Sequence, residues 1–403
     1  MPPPEQPRTP SSTRPYRVLL AIKSLGYGGA ERLVADLVTA TGDPATATDD
    51  LATAPDSPSF AYEVAYVLEG EDALAATIAS GGTPVHSLGA TGNLDLRWMV
   101  HFRRLLVDGS FDIVHFHLPY TAALGRLVVA TLPRRQRPMT MYTEHSLWNK
   151  VAVLVKALNR ATVRFDRALV AVSRAAYDAL PRTLRSRARV VVHGVDLSRS
   201  EDLVRGRGET RRDVRTELGI PPGDVLVVTV ANLRSEKGYD VLVDAAALLA
   251  ARHLPVRFAA AGQGVEEAAL LARHRRLGLG DRFLFLGHRD DALRLLTAAD
   301  IFVLASHQEG LPVALMEAAS VGTAIVATAV GGVPQMVTDG MNGLVVPPGS
   351  PVLLADALER LISDPGLRER LGRQAMADSA GYDIARARVE IEGIYRGLLG
   401  PAA

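Results

Sequence analysis

Two glutamates with seven residues between them, Glu309 and Glu317, bracket a Gly310–Leu311–Pro312 turn in the run SHQEGLPVALMEAASVG. The segment around the turn is otherwise nearly uncharged, so carboxylates at these two positions point to a site more than to support. Pro312 suits the first helical position, where its missing N–H is no loss and its φ is already set. Glu309 then falls in the loop ahead of that helix and Glu317 in its second turn. The backbone N–H groups around Gly310 and Leu311 face whatever sits before the helix, where the helix dipole favours negative charge.

Cations, glycines and histidines recur in comparable places. In NLRSEKGYD, Arg234 and Lys237 follow a β-branched run, and Gly238 would open the next helix. Two cations at a strand mouth suit a diphosphate, although Arg-x-x-Lys alone is common on surfaces. In AAAGQGVEE, Gly262 and Gly264 permit close approach of backbone at another helix start. SLGYGGAER places Gly26, Gly28 and Gly29 at a strand-to-helix junction without satisfying the dinucleotide fingerprint G-x-G-x-x-G, which disfavours a hydride-transferring enzyme. His145, in TEHSLWN, follows an expected strand; an isolated histidine more often serves structure than chemistry. His115 and His117 in VHFH share one strand face at a metal-like spacing, but no third ligand is evident and no metal site is expected.

Composition narrows the class. The chain has 403 residues, enough for two domains of ordinary size. It has no cysteine, which excludes disulfides and thiolate catalysis and makes a reducing cytoplasm the simplest location. No uncharged apolar run reaches about 18 residues, the length a membrane span needs. The opening MPPPEQPRTPSSTRP is Pro-rich and polar; residues 1–14 read as a flexible tail, not a signal peptide. A formal net charge of +1 conceals an asymmetry, because Arg97 to Arg199 holds eighteen Lys and Arg against six Asp and Glu. Solvated helix arginines would account for that surplus of twelve. A surface that meets anionic lipid or an acidic acceptor is the sharper alternative. Nucleic acid is disfavoured, since no interleaved aromatics or nucleic-acid motif accompany the charge.

The elements that must position these residues alternate, strand then helix, twice over. Strands are expected at YRVLLAI, YEVAYVL, FDIVHFH, PMTMYTEH, RALVAVS and RVVVHGVDL, with a low-complexity excursion at TGDPATATDDLATAPDSPS. A polar connection over Ser198 to Thr210 follows. The pattern restarts with DVLVVTVAN, VRFAAAG, RFLFLG, IFVLAS and AIVATA. Short apolar runs alternating with helices predict parallel sheets covered on both faces. Every motif above lies just after a strand, where such sheets bind ligands.

EGLPVALME resembles the E-x7-E element of retaining glycosyltransferase family 4. ANLRSEKG, AGQG, FLGHRDD, AADIFVLAS, GTAIVATAVGGVPQMVTDGMNGLVVPPG, GYGGAER and HGVD fall in that family's usual order. The resemblance runs from about Arg14 onward and is most specific in the second half. It implies an α/β chain of GT-B fold, with two Rossmann-like doubly wound domains facing an interdomain cleft. Residues 15–197 would form the acceptor domain and 198–382 the nucleotide-sugar domain, with a final helix over 383–400 returning to the first. Many members carry an arginine where this chain has Asn232; Arg234, two residues on, would serve the phosphates instead.

The resemblance also implies roles. Glu317 would bind the ribose diol, and Glu309 with the Gly310 and Leu311 amides would hold hydroxyls of the transferred sugar. Lys237 and Arg234 would neutralise the leaving diphosphate, and Gly28, Gly29, Gly262 and Gly264 would let backbone approach the donor. His145 would lie near the anomeric centre, and base selection would rest on backbone around Gly287 and His288. The donor would be a UDP- or GDP-sugar, used without a metal or other cofactor and with retention. The acceptor would be a glycan, a lipid-linked or a small-molecule hydroxyl, in cell-envelope glycan, polysaccharide or glycolipid synthesis. Peripheral contact with anionic membrane would place the enzyme at the inner face of the plasma membrane. An epimerase-like enzyme, a phosphorylase of the same fold, or a non-catalytic sugar-nucleotide module are the alternatives.

Overall fold

The structure, a computed structural model, describes residues 14–39, 59–145 and 153–400. The expected N-terminal tail up to residue 13 and the low-complexity stretch over residues 41–58 lie outside the described residues. The chain divides into two compact units. The first comprises Met1–Val172, Ala179–Val191 and Ala385–Ala403; the second comprises Ser173–Asp178 and Val192–Ile384. The chain therefore enters the second unit briefly over Ser173–Asp178, passes into it again at Val191–Val192 and returns at Ile384–Ala385.

The first unit holds a seven-stranded sheet. Its strands are β1 (Tyr16–Ile22), β2 (Phe60–Leu68), β3 (Val85–Ala90), β4 (Ile113–His117), β5 (Met139–Glu144), β6 (Ala168–Ala171) and β7 (Ala188–Val190). Their order is β3-β2-β1-β4-β5-β6-β7, and every pairing is parallel. Continuous apolar strands of this kind are buried on both faces, and Val18 through Ile22 are fully buried. The helix Trp98–Gly109 covers one face with Trp98, Phe102 and Leu106, spaced four apart, and Phe102 meets Phe116 of β4 at 6.1 Å between ring centroids. The last described helix, Ile384–Leu399, covers the other face: Tyr62 donates to Glu392 at 2.9 Å, and the Phe60 and Tyr395 rings lie 5.4 Å apart.

The second unit repeats the plan with six strands. These are β8 (Val225–Val230), β9 (Val256–Ala261), β10 (Phe283–Gly287), β11 (Ile301–Leu304), β12 (Ala324–Thr328) and β13 (Leu344–Val346). Their order is β10-β9-β8-β11-β12-β13, again all parallel. In both units the chain winds outward in one direction, returns to the starting strand and winds outward in the other. That reversal, between β1 and β4 and between β8 and β11, is the topological switch point of a doubly wound sheet. The chain is α/β with two Rossmann-like domains, as the GT-B fold requires.

Three sequence expectations differ from the structure. The polar connection at Ser198–Thr210 is helical, as Leu197–Arg205 and then Arg207–Glu217. Asp196 caps the first helix by accepting from the Ser198 amide, and Arg211 and Arg215 tie the second to Asp300 at 2.7 and 3.2 Å. Ion pairing replaces the apolar stripe on which helix recognition depends. The edge strands β3 and β13 carry little signal, one because VHSLGA mixes polar residues and glycine, the other because it spans three residues. RVVVHGVDL is a strand only through Val190; beyond it Val195 pairs with the returning chain, donating to Tyr382 O at 2.8 Å and accepting from the Ile384 amide at 3.0 Å.

A buried ion pair locks the helices of the first unit to its sheet. Arg126 lies in the helix Pro119–Ala130 with its side chain fully buried, and it pairs with the equally buried Asp166 at 2.7 Å. The same guanidinium donates to Asn159 Oδ1 at 2.6 Å and Thr162 Oγ1 at 3.0 Å, and sits 4.9 Å from the Tyr142 ring centroid. Removing one partner of such a pair strands the other charge. Arg126→Met is expected to cost about 3–5 kcal/mol. Adding Asp166→Asn should recover part of that loss, as urea unfolding followed by tryptophan fluorescence will show.

Candidate functional site

The switch point of the second unit is built from two neighbouring strand ends. β8 and β11 pair through Val227 with Ile301 and Val228 with Phe302, so both finish at one edge of the sheet. After β8 the chain runs through Asn232 and Arg234 into a single 3₁₀ turn, Ser235–Lys237, and then the helix Tyr239–Ala251. Gly238 joins the two with φ +63°, and a Cβ there would lie 2.1 Å from Ala305 O, so no other residue fits. Tyr239 anchors the helix start by donating to Ala231 O at 2.7 Å, and burial pushes its phenol well above its ordinary range. After β11 the loop Ala305–Leu311 leads to the helix Val313–Ser320. Pro312 is the residue that caps this helix, one position earlier than the sequence suggested.

These two loops carry the central contact. Lys237 Nζ donates to both carboxylate oxygens of Glu309, at 2.8 and 2.9 Å. Ser306 Oγ adds a third bond, to Glu309 Oε1 at 2.5 Å. Glu309 is 5% exposed and the Lys237 side chain 25%, so each charge shields the other from the cost of a dry environment. Backbone bonds hold the frame: the His307 amide donates to Glu236 O at 2.9 Å, and the Gly332 amide to Gly310 O at 2.9 Å. Thr328, at the end of the adjacent β12, donates to Ser306 O at 2.6 Å. Three successive strand ends thus converge on Glu309.

The remaining expected residues fall around this pair. Glu317 is half-buried in the second turn of the helix Val313–Ser320. Gly310 and Leu311 lie in the turn between the two glutamates, with Leu311 buried. Arg234 is exposed at the start of the 3₁₀ turn, where its carbonyl accepts from the Lys237 amide at 3.0 Å. Gly262 and Gly264 do permit close approach, but to the neighbouring loop: a Cβ on either would fall 1.9 Å from Ala231 O or 2.3 Å from Leu233 O. Their role in the structure is to seat the Asn232 loop. His288, after β10, bonds Asp290 through Nε2 at 2.9 Å. Nearby in sequence to the crossing point, His193 is fully buried, and burial pushes it down to about 4.

The first unit presents a second set at its own switch point. Gly28 precedes the helix Gly29–Thr39, whose Glu31 folds back over Gly28 and accepts from Ser24 Oγ at 2.9 Å. His145 follows β5, and its Nε2 lies 2.8 Å from Nδ1 of His117 at the end of β4. His115 spends its nitrogens on Tyr395 and Thr143, each at 2.7 Å. Among the described residues no group of three or more His, Asp or Glu is arranged to hold a metal ion. Sequence reasoning missed Ser306, Thr328 and Tyr239, whose parts are hydrogen bonds across strands that no local pattern marks. It read the partnership of His117 with His145 as two unrelated histidines.

Comparison with known proteins gives a consistent picture. The family model described as Glycosyl transferases group 1 matches residues 210–378, and that described as Glycosyltransferase Family 4 matches residues 27–199. A D-inositol 3-phosphate glycosyltransferase of Xylanimonas cellulosilytica is 35% identical over 305 residues, 70% of this chain and 71% of the relative. An alpha-D-kanosaminyltransferase of Streptomyces kanamyceticus is 28% identical over 323 residues, 77% of this chain and 83% of the relative. Among solved structures, Anabaena HepE in complex with UDP and glucose superposes with a TM-score of 0.76 at 20% identity, over 94% of this chain and 98% of that one. A sucrose-phosphate synthase from Thermosynechococcus elongatus gives 0.76 at 18% identity, over 95% and 99%.

The geometry of the second unit makes Lys237 and Glu309 interdependent. Lys237→Met should destabilise that unit by about 2 kcal/mol, below the range for a fully buried pair because the lysine is partly solvated. Glu309→Gln in the Lys237→Met background should return most of that loss, and a double-mutant cycle in urea measures the coupling.

Proposed function

The chain belongs to the family 4 glycosyltransferases, and from that premise we propose that it moves a sugar from a nucleotide-diphosphate sugar to an acceptor hydroxyl with retention and without a metal ion. The observation that carries this reading is the Lys237–Glu309 pair at the β8/β11 switch point, with Glu317 in the second turn of the helix that follows. A fixed ammonium beside a diphosphate stabilises negative charge as the leaving group departs, which is the work a divalent metal does elsewhere. Arg234, exposed on the same loop, adds a second cation.

In this reading Glu317 accepts from the two ribose hydroxyls, and Glu309 with the Gly310 and Leu311 amides binds the sugar. Glu309 is an unsuitable covalent nucleophile, because an ammonium and a hydroxyl already hold its oxygens. That supports attack by the acceptor on the face the diphosphate leaves. The same reading assigns His145 to the transferred sugar and Gly28 and Gly29 to the donor, as the family resemblance implies. HepE structures crystallised with UDP and with UDP-glucose support a nucleotide-sugar donor for a fold of this kind. A relative named for inositol 3-phosphate makes a hydroxyl-rich acceptor the natural first class to screen.

Calorimetry with UDP and GDP, followed by turnover of UDP- and GDP-sugars, tests the assignment. Glu317→Ala should weaken nucleoside diphosphate binding at least tenfold, about the 1.4 kcal/mol of one charged hydrogen bond, while the melting temperature stays put. Unchanged affinity would remove Glu317 from the site. Turnover should persist in EDTA; loss that manganese restores would overturn the metal-free part.

The acceptor side carries a further expectation. No described helix is long and apolar enough to cross a membrane. The helix Trp98–Gly109 nevertheless has a second apolar edge, opposite its buried Trp98, Phe102 and Leu106. Leu96, Val100 and Val107 are 53%, 61% and 38% exposed on that edge, beside the exposed Arg103 and Arg104. Apolar side chains flanked by arginines suit an anionic lipid surface. Sedimentation with vesicles should show binding that rises with anionic lipid and is lost at about 0.5 M salt, where screening falls to roughly 4 Å. Val100→Glu with Arg104→Glu should abolish it. Absence of binding at low salt would leave a small soluble acceptor.

A further inference from the structure

His145 has a close partner that its sequence context does not announce. β4 and β5 are parallel neighbours with His117 opposite Thr143, so the chain two residues past Thr143 is brought back beside His117. His117 Nδ1 and His145 Nε2 are 2.8 Å apart, and their ring centroids 5.1 Å. His117 is 1% exposed and backed by His115 on the same strand face, with ring centroids 4.2 Å apart. His115 is itself fixed. The buried Tyr395 hydroxyl lies 2.7 Å from His115 Nδ1, and His115 Nε2 lies 2.7 Å from Thr143 Oγ1, both within hydrogen-bond distance. The ring behind His117 therefore cannot turn without breaking both bonds.

We propose that His117 is a positioning residue for His145, fixing the rotation and tautomer of its imidazole through a His–His hydrogen bond that makes the two rings take up protons as one unit. This rests on the reading of His145 as a site residue. The physics follows from the single contact. The bond needs a hydrogen on one facing nitrogen and a lone pair on the other. One added proton leaves it intact and strengthens it, since the donor ring is then charged. A second proton would put hydrogens on both facing nitrogens and set two cations in contact, so protons bind in two coupled steps. Among the described residues, the charged and titratable groups on the elements packed against the pair include His115 on β4, Tyr142 and Glu144 on β5, Tyr120 and Arg126 on the helix Pro119–Ala130, and Tyr395 on the last helix. Tyr142 donates to the buried Glu144 at 2.7 Å, and Tyr395 is committed to His115.

The test uses the full chain labelled with ¹⁵N-histidine, in wild type, His117→Ala and His117→Asn. Asparagine places a polar atom where Nδ1 stood, without an ionisable ring. Imidazole signals are followed against pH, and NDP release is measured from whichever of UDP-glucose and GDP-mannose the wild type turns over. In the wild type the His145 and His117 signals should titrate together in two steps. His145 should titrate in one step in both variants. His117→Ala should lower kcat roughly tenfold or more, in the range typical of lost orienting bonds, with donor KM little changed. His117→Asn should restore most of that loss. An identical His145 titration in wild type and His117→Ala overturns the proposal, as does an equal kcat for the Ala and Asn variants. Unchanged His86 and His101 signals in each variant, from histidines bonded elsewhere in the first unit, establish that the fold is kept. Wild-type turnover by His145→Ala would instead overturn the site reading, and with it the role of His117, whatever the titration shows.

Discussion

A parallel sheet that winds first one way and then the other leaves two adjacent strands whose following helices go to opposite faces, and the gap between them cannot be closed by packing. The arrangement of this chain depends on that constraint, met twice. In the second unit the gap lies between β8 and β11, and the loops leaving those strands must approach each other with polar backbone exposed. The sequence answers with glycine at 238, where a side chain would strike Ala305 O, and with backbone bonds from the Glu309 loop to the Lys237 turn. The charged pair can sit in such a place only because both members arrive together.

That pairing explains why so acidic a position tolerates burial. A carboxylate 5% exposed would shed its charge or unfold its loop if it stood alone. With Lys237 held to both of its oxygens and Ser306 to one, Glu309 is fixed in orientation. The lysine in turn is held at the strand mouth, its side chain already ordered by the carboxylate. Preorganisation of this kind belongs to the loops. Sheet order and three strand ends produce it, and the helices serve mainly to hold those strands in register.

How much of this was legible in the sequence follows from where each signal resides. Strands such as Tyr16–Ile22 and Val225–Val230 announce themselves because burial on both faces demands unbroken β-branched and aliphatic runs. Glu309, Glu317, Lys237 and the glycines were visible because each breaks a local rule: charge beside an apolar helix, or glycine at a strand end. What stayed hidden was pairing. Nothing in VHFH reveals that His117 meets His145, because the contact depends on β4 and β5 lying side by side in a particular register. The polar helix Arg207–Glu217 escaped for a related reason: Arg211 and Arg215 tie it to Asp300, some ninety residues away in sequence.

The two switch points are built from different chemistry, and the difference has a physical consequence. The second unit joins a lysine to both oxygens of one carboxylate, a contact that involves no choice of tautomer. The first uses imidazoles joined to each other and to a buried phenol, groups whose ordinary titration falls close to neutrality, except for the phenol. The hydrogen bond between His117 and His145 therefore depends on which facing nitrogen carries the hydrogen, whereas Lys237 reaches both oxygens of one carboxylate.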